Sequence, residues 1–141
     1  MRSNVFLSIL AVAVLISAIV SCQKGPKPEN TAEEFLNAYL SNDYAKAASF
    51  CTPSLSGKLL EAVEEIEHLQ QDMKDRIANT TKYLTLKIDN VEKQGKEDTL
   101  LVSYSIHKPA PDSTLRQGIV QSVLSLVKEE ENWKVAALNK L

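Results

Sequence analysis

The 141-residue chain carries 16 Lys and Arg against 18 Asp and Glu, a net charge of −2. A mildly acidic surface argues against nucleic acid as a partner, because binding phosphates needs a basic stripe that displaces counterions. With only two cysteines and two histidines, the chain has no zinc-type ligand spacing, and no cofactor or metal is expected.

The N-terminus opens with Met1-Arg2-Ser3-Asn4, followed by sixteen uncharged residues from Val5 to Val20. A bilayer core of about 30 Å needs roughly 20 apolar residues as a helix, so this run is short for a permanent span. It fits the apolar region of a signal peptide occupying residues 1–21; the alternative is an uncleaved anchor. Ile19-Val20-Ser21-Cys22 resembles the lipobox of bacterial lipoproteins, where small and branched residues precede the cysteine. That resemblance implies cleavage between Ser21 and Cys22 and a lipid on the Cys22 thiol. The domain would then be lipid-anchored in the cell envelope, more naturally on the periplasmic side. Cys51 would be left without a disulfide partner. Two or more acyl chains hold stably where one binds reversibly.

Residues 22–30 include Gly25, Pro26 and Pro28 and no large apolar side chain, and read as a lipidated tether. Its eight residues after Cys22 would span about 25 Å if extended. The folded domain is expected over 31–141, independent of the first 28 residues.

Thr31 and Glu34 fit a capping box at a helix start, and Ala32, Phe35, Leu36 and Tyr39 recur at helical spacing. Ser41-Asn42-Asp43 interrupts that stripe. Asp43 can cap a second, short helix with Tyr44, Ala47, Ala48 and Cys51 on one face, ended by Pro53. Cys51 reads as a small buried hydrophobe. One long helix is expected from about Ser56 to Ala78, with Leu59, Val63, Ile66, Met73 and Ile77 on one side. Asp72 and Arg76 form a potential i,i+4 pair. Glu61, Glu64, Glu65 and Glu67 read as a solvated face, since hard-cation loops need oxygen ligands converging from a turn. His68, beside them, reads as a surface residue.

From Lys82 the period changes to 2. Leu84, Leu86 and Ile88 alternate with polar residues, and Val91 falls out of phase, which predicts a bulge near Asn90. Leu100, Val102, Tyr104 and Ile106 form the inward face of a second strand ended by Pro109 and Pro111. Leu86 and Val102 should face the helices, and Lys87 and Ser103 should face outward. A third strand runs over about 117–128, apolar on both faces in places. A fourth spans about 133–139 after the turn Glu129-Glu130-Glu131-Asn132. Helices followed by a four-stranded antiparallel meander make an α+β domain with the helices gathered on one face of a curved sheet.

Two stretches, TAEEFLNAYLSNDYAKAASF and NWKVAAL, resemble small exported domains with the nuclear transport factor 2-like (cystatin-like) cone, including the lumazine-binding-like group. The likeness covers most of residues 29–141 and includes the Asp43-Tyr44-Ala45-Lys46-Ala47 helix. It implies a strongly curved sheet wrapped around the long helix. Relatives with this cone include isomerases, dehydratases and pure docking modules, so fold alone does not assign function.

Enzymes on this cone place an acid or base in an apolar pocket. Here Tyr104 is the only polar group among the predicted inward positions; Asp89 and His107 fall out of phase, and no catalytic residue is assigned. Tyr39, Tyr104 and Trp133 are the large amphipathic groups expected to line the open end of the cone. The expected role is non-enzymatic binding of a small apolar molecule or an envelope protein. An isomerase- or dehydratase-type enzyme, and a structural or inhibitory interaction module, are the alternatives. Asp98-Thr99-Leu100 and Asp112-Ser113-Thr114 resemble O-glycan acceptor triplets, of a length that arises often by chance.

Overall fold

The structure is a computed structural model describing residues 25–95, 98–108 and 118–140. The signal peptide, Cys22, Pro109, Pro111 and the triplet at Ser113 lie outside the described residues.

Helix α1 spans Pro28–Leu40, α2 Tyr44–Ser49, α3 Pro53–Glu67 and α4 Gln71–Thr81. Strands β1 (Thr85–Lys93), β2 (Thr99–Lys108), β3 (Gly118–Glu129) and β4 (Asn132–Lys140) follow. They form one antiparallel sheet in chain order. The expected α+β architecture is the one observed.

Helix α1 starts at Pro28, ahead of the expected capping box. Proline suits the first helical turn, where an N–H would lack a partner anyway, and Lys27 is the residue before the helix. Thr31 is therefore inside the helix and buried, its hydroxyl donating to the Lys27 carbonyl at 3.4 Å. The domain accordingly begins before residue 31. Helix α2 starts as its sequence predicts, with the Asp43 carboxylate accepting from the Lys46 N–H at 3.1 Å.

The single helix expected over 56–78 is two helices. The chain leaves helical geometry around His68–Gln70, with Gln70 extended (φ −65°, ψ 152°). The Lys74 ammonium donates to the Glu67 carbonyl at 2.9 Å, capping the end of α3. No α4 side chain is buried, so no packed stripe holds the two segments in line; most helical stability comes from tertiary packing. The expected Asp72–Arg76 pair does not form; the Gln71 amide instead donates to Asp75 at 2.9 Å. The four glutamates and His68 are exposed, as expected.

The helix lying in the sheet's concavity is α1, not the longer helical segment. It packs on β1, β3 and β4. Phe35 and Leu36 from α1 meet Val102, Leu124, Leu126 and Val135 from the sheet, and among the described residues these six side chains are the largest that are fully buried. Burying a side chain of this class contributes about 1.5–3 kcal/mol.

The predicted bulge occurs. Register shifts between Ile88 and Asn90, leaving Asp89 extra and carrying Val91 back to the inner face opposite Val102. A second shift lies opposite Ser125 and Leu126, between Ala137 and Val135. Such bulges bend the strand and tighten its twist.

The two sheet edges differ. At β4, the link between α2 and α3 covers the edge: Thr52 N–H donates to Val135 O, and Val135 N–H to Phe50 O, each at 2.9 Å. At β1, one side pairs with β2 and, among the described residues, the other meets no strand. The Asp89 bulge and Lys87 suit such an edge, since both discourage indiscriminate strand addition.

Candidate functional site

The clearest concave surface runs along the open edge, between α1 and β1. Leu84, Leu86 and Ile88 form its floor, and Glu33, Asn37 and Leu40 of α1 form one wall. Two clefts of about 410 Å³ each share Asn37, Leu84 and Leu86, so they make one groove. Ala78, Asn79, Thr81 and Lys82 close one end.

The groove follows from α1's helical period. Ala32, Phe35 and Leu36 turn into the core, which leaves Glu33, Asn37 and Leu40, spaced four and three apart, on a neighbouring face. That face reaches over β1 without covering it, so Leu86 and Ile88 stay half-buried. The closed end is pinned by Asn42, whose amide donates to the Thr81 hydroxyl at 2.9 Å. Asn42 sits at φ 61°, in the left-handed region that asparagine tolerates just past a helix end.

The three aromatic residues expected to share one opening do not. Tyr39 stacks on Phe35 at 5.8 Å and meets Tyr44 edge-on at 5.3 Å. Tyr104 is 6% exposed and belongs to the core. Trp133 lies at the far end of the sheet, opposite Lys128, whereas Tyr104 is opposite Ser122. Six residues along β3 correspond to roughly 20 Å. Trp133 lines a separate cleft of about 240 Å³ with Pro26, Thr31, Glu34, Ser49, Phe50, Asn132 and Lys134.

Three described side chains, Tyr104, Tyr44 and Cys51, have their acidity weakened by burial. Burial pushes the Tyr104 hydroxyl above its ordinary value, partly offset by Ser122, with a smaller upward push from Tyr39. Tyr44 is raised by burial and by Tyr39. Burial pushes the Cys51 thiol up to about 11, against a smaller opposing effect of Lys134. Its Sγ donates to the Ala47 carbonyl at 3.3 Å. A neutral thiol is a poor nucleophile, which agrees with Cys51 as a packed core residue.

Ser105 breaks the strand alternation. It points to the outer face yet is 4% exposed, because the bulge swings Asp89 over it and the carboxylate accepts a hydrogen bond from its hydroxyl. Lys87 adds an ion pair to Asp89 at 3.7 Å. His107 lies on the same face but bonds to neither, so the three do not form a catalytic triad. Among the described residues, no buried side-chain polar atom lacks a partner, and no group of His, Cys, Asp and Glu is placed to hold a metal.

Residues 27–137 match the model of the NTF2-like N-terminal transpeptidase domain family. The chain belongs to this family. Comparison with curated proteins gives no match. Among solved structures it is similar to one described as Rd1NTF2_04 with long sheet, at 14% identity and TM-score 0.51, covering 82% of this chain and all of the other. An NTF2-like protein of unknown function from Cytophaga hutchinsonii aligns at 12% identity and TM-score 0.40, covering 78% of this chain and 96% of its own. RPA3114, a SEC-C motif containing protein from Rhodopseudomonas palustris, aligns at 9% identity and TM-score 0.45, covering 75% and 72% respectively. These likenesses concern the fold.

Sequence reasoning assigned Leu84, Leu86 and Ile88 to the core face and missed Glu33, Asn37 and Leu40 as a wall. The three-and-four spacing of the α1 residues was visible. That α1 leaves β1 partly open was not, because it depends on where the helix lies across the sheet.

Proposed function

We propose that this NTF2-like domain is a non-catalytic docking module of the cell envelope. It is tethered on the periplasmic side of a membrane through lipid on Cys22, and it binds an extended segment of another protein in the α1–β1 groove. The observation that carries this reading is the pairing of a filled cone with an open groove beside an unpaired strand. Small-molecule sites bury 70–90% or more of their ligand in a cleft or cavity. Here Phe35, Leu36, Leu124 and Leu126 occupy the centre of the cone with no exposure. The groove suits a narrow, linear occupant. From Leu84 to Ile88 its floor runs about 13 Å, the length of four extended residues. Alternate apolar side chains of a bound strand would sit on Leu84, Leu86 and Ile88 while Glu33 and Lys82 mark its two ends.

The test is selection of random peptides displayed on phage against the domain, followed by binding of the selected peptides to variants. Leu86→Arg should abolish binding, and Ser103→Arg, on the outer sheet face, should leave it unchanged. Binding indifferent to Leu86→Arg would move the site elsewhere. A small apolar metabolite that raises the melting temperature by roughly 10 °C, equivalent to binding at 100 times its dissociation constant, would favour the ligand reading. Turnover lost on Tyr104→Phe would favour an enzyme. Tethering is tested separately: Cys22→Ala should leave an unprocessed precursor without acyl label, and equal labelling of both chains would overturn it.

A further inference from the structure

We propose that Gly25 and Pro26 form a strap that orients the domain on its membrane, with the β3–β4 hairpin end at the lipid surface and the β2–β3 end pointing away. This rests on the reading that Cys22 carries the anchor. Gly25 packs so closely on the β3–β4 turn that a Cβ there would collide with the Glu131 carbonyl oxygen. That oxygen belongs to a two-residue turn between the paired Glu129 and Asn132, so it cannot swing aside as a side chain would. Pro26 forms part of the cleft that Trp133 and Phe50 line. Pro28 then enters α1 with its φ held by the ring. The chain is thus seated from Gly25 onward, and the spacer is shorter than composition predicts. Three residue steps separate Cys22 from Gly25, a reach of at most about 11 Å.

That reach decides which end meets the lipid. From Glu129 to Gly118, β3 is eleven residue steps long, roughly 36 Å. The hairpin end lies within the strap's reach and the other end does not. Ile119 and Val120, 56% and 59% exposed, sit at the distal end, beside His107 and Ile106. Thr85 and Leu86 pair with the same two β2 residues, so the groove also opens in the distal half. Glu129, Glu130 and Glu131 at the hairpin give headgroups no electrostatic attraction, and the covalent reach sets the orientation. A docking partner therefore approaches from the aqueous side.

The experiment uses the chain from Cys22 onward, coupled through the Cys22 thiol to a maleimide lipid in phosphatidylcholine vesicles containing a headgroup spin label. Cys51, buried, is protected from the coupling. Trp133 is the only tryptophan and reports proximity to the spin label by quenching. Strong quenching of Trp133 is expected, with little in an Ile119→Trp, Trp133→Phe chain. A fifteen-residue Gly/Ser insert before Gly25, about 22 Å in mean reach, should cut the Trp133 quenching severalfold without touching the fold. Gly25→Val should do the same by unseating the strap. Equal quenching at positions 133 and 119, or quenching unchanged by the insert, overturns the proposal. Because the lipid is attached chemically, these outcomes are independent of acyl labelling in cells: failure of that labelling removes the tether reading, whereas failure here removes the strap.

Discussion

Replacing Leu124 and Ile119 by alanine, one at a time, tests where the core ends along a single strand. Both lie on β3 and both are branched aliphatics, but Leu124 has no exposure and Ile119 is 56% exposed. Leu124→Ala deletes three buried carbons, about 2.4 kcal/mol of lost transfer energy at 0.8 kcal/mol per methylene. It is hemmed in by Val102 and Leu138 on the adjoining strands, so the site collapses little and the cavity raises the cost to about 3–4 kcal/mol. At roughly 4–6 °C per kcal/mol for a domain of this size, the melting temperature should fall by about 15 °C. Ile119→Ala removes carbons already half in water and should cost about 1 kcal/mol, or roughly 5 °C. Thermal unfolding followed by far-ultraviolet circular dichroism, with urea midpoints at constant m-value, reads both. Similar losses at the two positions, or a larger loss at Ile119, would refute the placement of the core.

Leu86→Ala, half-buried on the groove floor, should cost about 1–2 kcal/mol, below the usual core range, while Ser103→Ala should stay within about 0.5 kcal/mol; reversed sensitivities in urea would place β1 and β2 in the wrong register. Cys51 is held above its ordinary value near 9, up to about 11, so its neutral form is the one favoured in the folded state. Its contribution is present below pH 9 and lost as pH rises through 11; urea midpoints should show that extra loss in the native chain and not in Cys51→Ala. Asn42→Ala should cost about 1–2 kcal/mol through the left-handed backbone, whereas Asn42→Gly keeps the backbone relaxed and loses only the side-chain bonds to Thr81 and Tyr44. Equal costs in thermal melts would mean that the hydrogen bonds, not the φ, matter at this position.

Elements whose determinants lie within a few residues were legible from the chain itself. Asp43 caps α2 because a carboxylate three residues ahead of an N–H reaches it without help from the rest of the fold. The strand alternation around Val102 and the phase break before Val91 are likewise local, because a pleated strand turns successive side chains to opposite faces. The start of α1 at Pro28 was legible in principle, since proline favours a first turn, but Thr31 and Glu34 offered an equally local competitor. What tertiary structure decided was everything set by which surfaces meet. The helical period alone ran through His68 to Gln70, and the chain breaks there because α4 buries no stripe that would hold it in line with α3. Nothing local distinguishes α1 from α3 as the helix that fills the sheet; only the fit of Phe35 and Leu36 among Val102, Leu124, Leu126 and Val135 does so. Tyr104 and Trp133 were separated by their register on β3, a long-range pairing that no short window contains. Ser105 is buried by a carboxylate from another strand, and Gly25 is seated by a carbonyl more than a hundred residues away. Contacts of that kind are selected by packing once the sheet has closed, so the sequence around either partner carries no local trace of them.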